Sequence, residues 1–163
     1  AAIALGKPAA DIAKPFDSVS LCLSKGLGAP VGSVLVGSAD FIKQAKRWRK
    51  MLGGGMRQSG LLAAAGIHAL ENHVERLAED HQNASLLAEG LAALEHIQVD
   101  PVQTNIVFAT IDDAKLPALL DHLKRQNILA AGYTGEKVRL VTHLGITAAD
   151  IETALAAFAE GLA

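Results

Sequence analysis

The chain has 163 residues, half of them apolar and a fifth charged, a balance that fits a globular protein and excludes a disordered one. Fifteen basic residues face seventeen acidic ones, and the resulting charge of −2 offers no general attraction to nucleic acid or an anionic membrane. No apolar run is long enough for a membrane span, and the lone Cys22 excludes an internal disulfide and points to a reducing, cytoplasmic setting.

The chain opens on AAIAL and Gly6, which read as the closing turns of a helix begun upstream. The start carries neither a basic leader nor a cleavage pattern, so it is read as a piece of a longer polypeptide, not a targeting segment. VSLCLS (19–24) and GSVLVG (32–37) are continuous apolar runs that predict covered strands of a parallel or mixed sheet. A helix is predicted from Ser38, its cap, to about Lys50, with Phe41, Ala45 and Trp48 on one face. Gly53, Gly54 and Gly55 then break the helix, because glycine is entropically costly in a helix interior.

QSGLLAAAGIHALEN (58–72) is helical, and Ala63–Gly66 are small enough for another backbone to come close. A second helical pattern runs over 73–94 with Val74, Leu77, Ala84, Leu87, Leu91 and Leu94 inward. The pattern leaves open whether the two helices join or kink near Asn72. Strands then alternate with helices: IQV (97–99), NIVFAT (105–110), a helix near 114–125, ILAAG (128–132), KVRLVT (137–142) and a helix capped by Thr147. Ile151, Leu155, Phe158 and Leu162 form the buried stripe of that last helix. The expected class is α/β, with an incomplete first domain over 1–72 and a small α/β domain over 73–163.

No Asp or Glu occurs from Phe41 through Leu70, whereas Lys43, Lys46, Arg47, Arg49, Lys50 and Arg57 all do. Two readings are open. One is a solvated positive helix; the other is an anion site, since Arg57 follows three glycines and precedes a helix start rich in free N–H donors. Lys25 raises a similar choice. A lysine at a strand end, partly buried and flanked by Gly26 and Gly28, could attack a carbonyl and seat a flat cofactor against bare backbone. The ordinary alternative is a surface lysine in a turn.

DSVSLCLSKGLGAPVGSVLVG (17–37), RWRKMLGGGMRQSGLLAAAG (47–66) and VRLVTH (138–143), in that order, resemble the low-specificity L-threonine aldolases. These are pyridoxal-phosphate enzymes of the aspartate-aminotransferase fold type (fold-type I), and the resemblance runs over essentially the whole chain. It implies the end of the large cofactor-binding domain followed by the small C-terminal domain. It implies that Lys25 carries pyridoxal 5'-phosphate and is the catalytic lysine, and that Ser24 lies near the cofactor phosphate. Lys50 and Arg57 would be basic residues of the cofactor region, to which a partner subunit also contributes. Arg139 would receive the α-carboxylate of the amino acid, because its planar fork matches a carboxylate. A solvated strand-edge arginine is the alternative there. His143 suits a base near neutrality, but closure of the strand by a hydrogen bond is the preferred reading. No metal is expected, since the histidines form no ligand-like set, and Trp48 and Met51 read as packing residues.

The resemblance further implies that the activity is cleavage of L-threonine or L-allo-threonine to glycine and acetaldehyde. The implied partners are an N-terminal half of the same enzyme, a small amino-acid substrate, and further copies in a dimer or a dimer of dimers (a homotetramer). That N-terminal half would carry the phosphate-gripping turn, the ring-stacking histidine and the aspartate that pairs with the ring nitrogen; Asp11 and Asp17 do not fill that last role. Two other readings stand beside this one: a different pyridoxal-phosphate reaction at Cα (transamination, racemisation or β-elimination), and a non-catalytic fragment whose basic face binds an anionic partner.

Overall fold

The computed structural model describes residues 1–162. The chain divides into two compact units, the first spanning Ala1–Leu77 and the second starting at Ala78.

The first unit opens with two short helices, α1 (Ala2–Leu5) and α2 (Ala9–Ala13), and Gly6 ends α1 in the left-handed conformation. Strands β1 (Ser18–Cys22) and β2 (Ser33–Gly37) form a two-stranded antiparallel sheet in which Val19 faces Val36 and Cys22 faces Ser33. The expected cover is absent from these strands. Val34, Leu35 and Val36 are all exposed, because residues 1–77 bring helix α3 (Ala39–Met51) onto β2 without enclosing it. Ser38 caps α3 as predicted, its hydroxyl accepting from the Phe41 N–H at 3.3 Å. Phe41 packs so closely on Gly37 that a Cβ there would lie 2.9 Å from its ring.

No residue of α3 is buried, and Trp48 and Met51 stand 59% and 61% exposed, so neither is the packing residue that the pattern suggested. Apolar spacing marks a face but does not supply the surface that covers it. Helix α4 (Gly60–Asn72) buries Gly66 and Ala69, and a Cβ on Gly66 would meet Leu23 at 3.1 Å. The core of this unit is small: Leu23, Leu27, Ala29 and Ala69, with Val74 and Leu77 against them.

Helix α5 (Leu77–Ala92) is separate from α4, with residues 73–76 forming a turn between them. In the second unit, β3 (Ile97–Val99), β4 (Ile106–Ile111), β5 (Ala131–Thr134) and β6 (Lys137–Val141) form an antiparallel sheet of order β3-β4-β6-β5. Alternation along β4 turns Val107, Ala109 and Ile111 inward, and β6 does the same with Val138 and Leu140. These side chains meet Leu87 and Leu91 of α5, Leu119 and Leu123 of α6 (Leu116–Arg125), and Ile151, Phe158 and Leu162 of α7 (Ala148–Leu162). The helices therefore cover one face of the sheet, and Ile106, Phe108 and Thr110 of β4 with Lys137, Arg139 and Val141 of β6 are left to the other.

Thr147 caps α7 in a reciprocal box. Its N–H and hydroxyl donate to the Asp150 carboxylate at 2.8 and 2.7 Å, and its Oγ1 accepts from the Asp150 N–H at 3.3 Å. The hydroxyl bond, and after it the backbone bond, hold the Asp150 carboxyl below its ordinary value. Its contribution to stability is therefore present above the unfolded carboxyl value and is lost as pH falls through the lower, folded one. Thr147→Ala is expected to cost about 1 kcal/mol of unfolding free energy at neutral pH. Urea titrations at neutral and acid pH check this, and the difference between variant and parent should shrink on the acid side.

Candidate active site

β1 ends at Cys22, and residues 23–32 turn the chain back towards β2. Leu23, Leu27 and Ala29 point into the small core, and this leaves Ser24 and Lys25 exposed on the crest between them. The turn is closed by backbone bonds: Leu23 N–H to Gly32 O at 2.9 Å, Ala29 N–H to Leu23 O at 3.0 Å, and Gly28 N–H to Lys25 O at 2.8 Å. Gly28 takes φ 70°, a conformation that disfavours residues with a Cβ. Gly26 has a different reason for its size, since a Cβ there would lie 3.1 Å from Leu77. The scarcity of bulk around Lys25 is thus partly a demand of the unit's own packing. Lys25 is exposed, not partly buried as expected, because the turn spends its apolar residues on the core.

The basic residues of α3 line an exposed surface. The helix stops at Leu52 through Gly53 N–H to Lys50 O at 3.2 Å and Gly54 N–H to Arg49 O at 2.7 Å, with Gly53 at φ 85°. The Lys50 amine folds over the following loop, 3.5 Å from where a Cβ on Gly55 would stand. Arg57 is exposed in the turn before α4, and the next residue, Gln58, has φ 50°. Among the described residues, no hydrogen bond or ion pair joins Lys25, Lys50 and Arg57 to one another.

Arg139 lies in the second unit, on the sheet face opposite the helices. It pairs with Phe108 of β4 and Ala131 of β5, and the Phe108 ring packs against Tyr133 with centroids 5.3 Å apart. Two positions earlier on the strand, Lys137 bonds Asp100 at 2.7 Å. Among the described residues Arg139 has no such carboxylate. The strand is fixed just beyond it: Thr142 N–H donates to Asn105 O at 3.0 Å, Asn105 Nδ2 to Thr142 O at 2.8 Å, and the buried Thr142 hydroxyl to Asp80 O at 2.6 Å. His143 donates from Nδ1 to the Leu144 carbonyl at 2.9 Å, in keeping with a role in closing the strand.

One residue passed over in the sequence is His73, whose Nδ1 lies 2.6 Å from the Leu27 carbonyl inside the lysine turn. The five-residue spacing from His68 does not suggest a shared helix face, and α4 indeed ends before His73. Two surface depressions lie elsewhere. One is lined by Glu95, His96 and Lys115, and the other by residues of α5 that include His81, whose imidazole burial holds below its ordinary value. Among the described residues no three His, Cys, Asp or Glu side chains form a metal-binding group.

The fold is that of the pyridoxal-phosphate fold-type-I enzymes. A candidate L-allo-threonine aldolase of Listeria monocytogenes superimposes with a TM-score of 0.81 at 19% identity, over 98% of this chain and 48% of that one. Serine palmitoyltransferase of Sphingomonas wittichii does so with a TM-score of 0.73 at 17% identity, over 93% of this chain and 41% of the other.

Residues 1–114 match the sequence model of the β-eliminating lyases, and the chain belongs to that family. The low-specificity L-threonine aldolase of Escherichia coli (strain K12) is 50% identical over 149 residues, 90% of this chain and 43% of the relative. Low-specificity L-threonine aldolase 1 of Arabidopsis thaliana is 46% identical over 167 residues, covering 99% of this chain and 47% of the relative. The chain thus spans less than half the length of these curated relatives.

Proposed function

We propose that the complete protein is a pyridoxal-phosphate-dependent aldehyde-lyase that cleaves L-threonine and L-allo-threonine to glycine and acetaldehyde. The observation that carries this reading is the 46% identity to a low-specificity L-threonine aldolase over 99% of the chain, an extent that takes in both the Lys25 turn and the Arg139 strand. Residues 1–72 are read as the end of the cofactor-binding domain and 73–163 as the small C-terminal domain.

The residues present fit the cofactor. An exposed amine stands on a crest free of large side chains, and the Lys50 ammonium lies over a glycine loop that suits a phosphate. Pyridoxal phosphate, when bound, supplies a carbonyl for the Lys25 amine and an electron sink for the bond broken at Cα. Lys25 would hold the cofactor through its amine, the one amine on the crest able to bond to a carbonyl carbon. The Ser24 hydroxyl would be a donor to the phosphate, and Lys50 and Arg57 would offset its charge. Arg139 would receive the substrate carboxylate with two parallel N–H donors. No base for the β-hydroxyl proton is assigned to this chain.

Incubating the holoprotein with L-threonine and measuring glycine and acetaldehyde tests the reading. Pyruvate or a D-amino acid as the main product would instead assign a different reaction at Cα. No helix among the described residues is long and apolar enough to cross a membrane, and we place the protein in the cytoplasm.

The stretch from Arg49 to Gly66 is proposed to lie at an interface between copies, where Lys50 and Arg57 reach a cofactor phosphate. Leu52 and Leu61, 82% and 83% exposed, support this, because such apolar surface is normally covered. Light scattering on the holoprotein should give a dimer or a dimer of dimers. A stable, active monomer would refute the interface.

A further inference from the structure

We propose that His73 is a positioning residue for Lys25, holding through one peptide plane the turn that presents the lysine amine. This rests on the reading of Lys25 as the cofactor-bearing lysine. The Leu27–Gly28 peptide is gripped at both ends: its carbonyl by His73 Nδ1 at 2.6 Å, and its N–H by donation to the Lys25 carbonyl at 2.8 Å. A carbonyl can only accept, so Nδ1 carries the hydrogen. The sequence of bonds runs from the imidazole N–H through the Leu27–Gly28 peptide to the Lys25 carbonyl, which accepts from the Gly28 N–H.

The grip has a purpose because this peptide is otherwise easily turned. Gly28 at φ 70° has no Cβ to restrict rotation about its N–Cα bond. Rotating the plane would break the bond to Lys25 O and let the crest relax. Leu27 is 7% exposed, so its side chain is held while its carbonyl depends on a partner.

His73 is itself well placed to supply one. Its backbone N–H donates to Ala69 O at 2.9 Å, closing α4, and the next residue, Val74, packs on the same small core as Leu27. The His68 ring stands edge-on to the His73 ring at 5.3 Å. His68 is in turn held by Asn72, which donates Nδ2–H to His68 Nδ1 at 3.2 Å and to His68 O at 2.9 Å.

Three substitutions in the holoprotein separate a positioned donor from mere filling of space. Asn places an amide N–H where Nδ1 stands, Gln carries it one carbon further, and Leu fills the volume without a donor. The readout is the rate at which pyridoxal phosphate added to the apoprotein becomes borohydride-trappable on the peptide containing Lys25, with circular dichroism as the check on folding. His73→Asn is expected to stay within about twofold of the parent, and His73→Gln and His73→Leu to slow attachment by about five- to tenfold. Equal rates in all four proteins would overturn the proposal. So would His73→Asn being as slow as His73→Leu, which would assign the effect to the ring's bulk. Should His73→Leu fail to fold, the Asn and Gln variants decide, and equal rates in those two overturn it. A parallel Lys25→Ala protein isolates the underlying reading: trapped cofactor on a different lysine would remove the anchor, and this proposal with it.

Discussion

Lys25→Ala is expected to remove borohydride-trappable pyridoxal phosphate from the holoprotein and to lower the proposed threonine cleavage by about 10²–10⁴-fold. The effect is expected to be this large because the proposed role gives the amine two uses, as nucleophile toward the cofactor carbonyl and, once displaced from it, as a group able to carry a proton. The crest geometry makes the site hard to replace. Leu23, Leu27 and Ala29 lock the turn on the core, so Lys25 alone among the lysines stands on it. Ser24 beside it has a hydroxyl, which lacks the nitrogen needed to form a carbon–nitrogen double bond with an aldehyde. Absorbance of the bound chromophore and mass analysis of the trapped peptides measure the first effect, and steady-state assays the second. Trapping on the same scale as the parent would show that Lys25 is a turn lysine and nothing more.

What could be read from residues alone follows a physical line. Local chemistry was legible. The Ser38 cap forms where expected, Thr147 closes α7 with Asp150, and alternation along β4 and β6 separates Val107 and Val138 from Arg139. These depend on neighbours within a few positions or on a period of two.

Burial in the first unit was not legible. VSLCLS and GSVLVG are equally apolar whether a strand is sheathed or open, and the antiparallel register of Val19 with Val36 is encoded by neither run separately. The same holds for Trp48, whose position on an apolar stripe says nothing of what lies opposite. The break at 73–76 carries no Gly or Pro to announce it; it coincides with the His73 bond to Leu27 O, a contact across 46 residues. Site residues show the same split. Lys25 is suggested by an amine near a strand end, and Arg139 by the family resemblance of VRLVTH, with which the fork of its side chain agrees. His73 acts on a backbone carbonyl, which has no signature in a sequence.

Arg139→Lys is expected to raise KM for threonine by about 10- to 150-fold, equivalent to losing about 1.5–3 kcal/mol of charge-assisted hydrogen bonding, while bound cofactor is retained. The substitution keeps the charge, so a site that required only a positive field would tolerate it. A carboxylate needs more, two parallel donors in one plane, and an ammonium on a flexible stem cannot offer them. The surroundings favour the fork. Phe108 lies directly opposite on β4 with its ring on Tyr133, which gives Arg139 an apolar flank that does not compete for its N–H groups. Lys137 cannot take over, because Asp100 already holds its amine at 2.7 Å. The backbone beneath is stiff, since Asn105 and Asp80 fix Thr142 three residues on. Steady-state kinetics with threonine, beside absorbance spectra of the two holoproteins, measure the change. The spectra should coincide without substrate and diverge only in the concentration of threonine needed to perturb them. An unchanged KM would mean that the carboxylate is read by another residue, and would leave Arg139 a solvated arginine on an open sheet face.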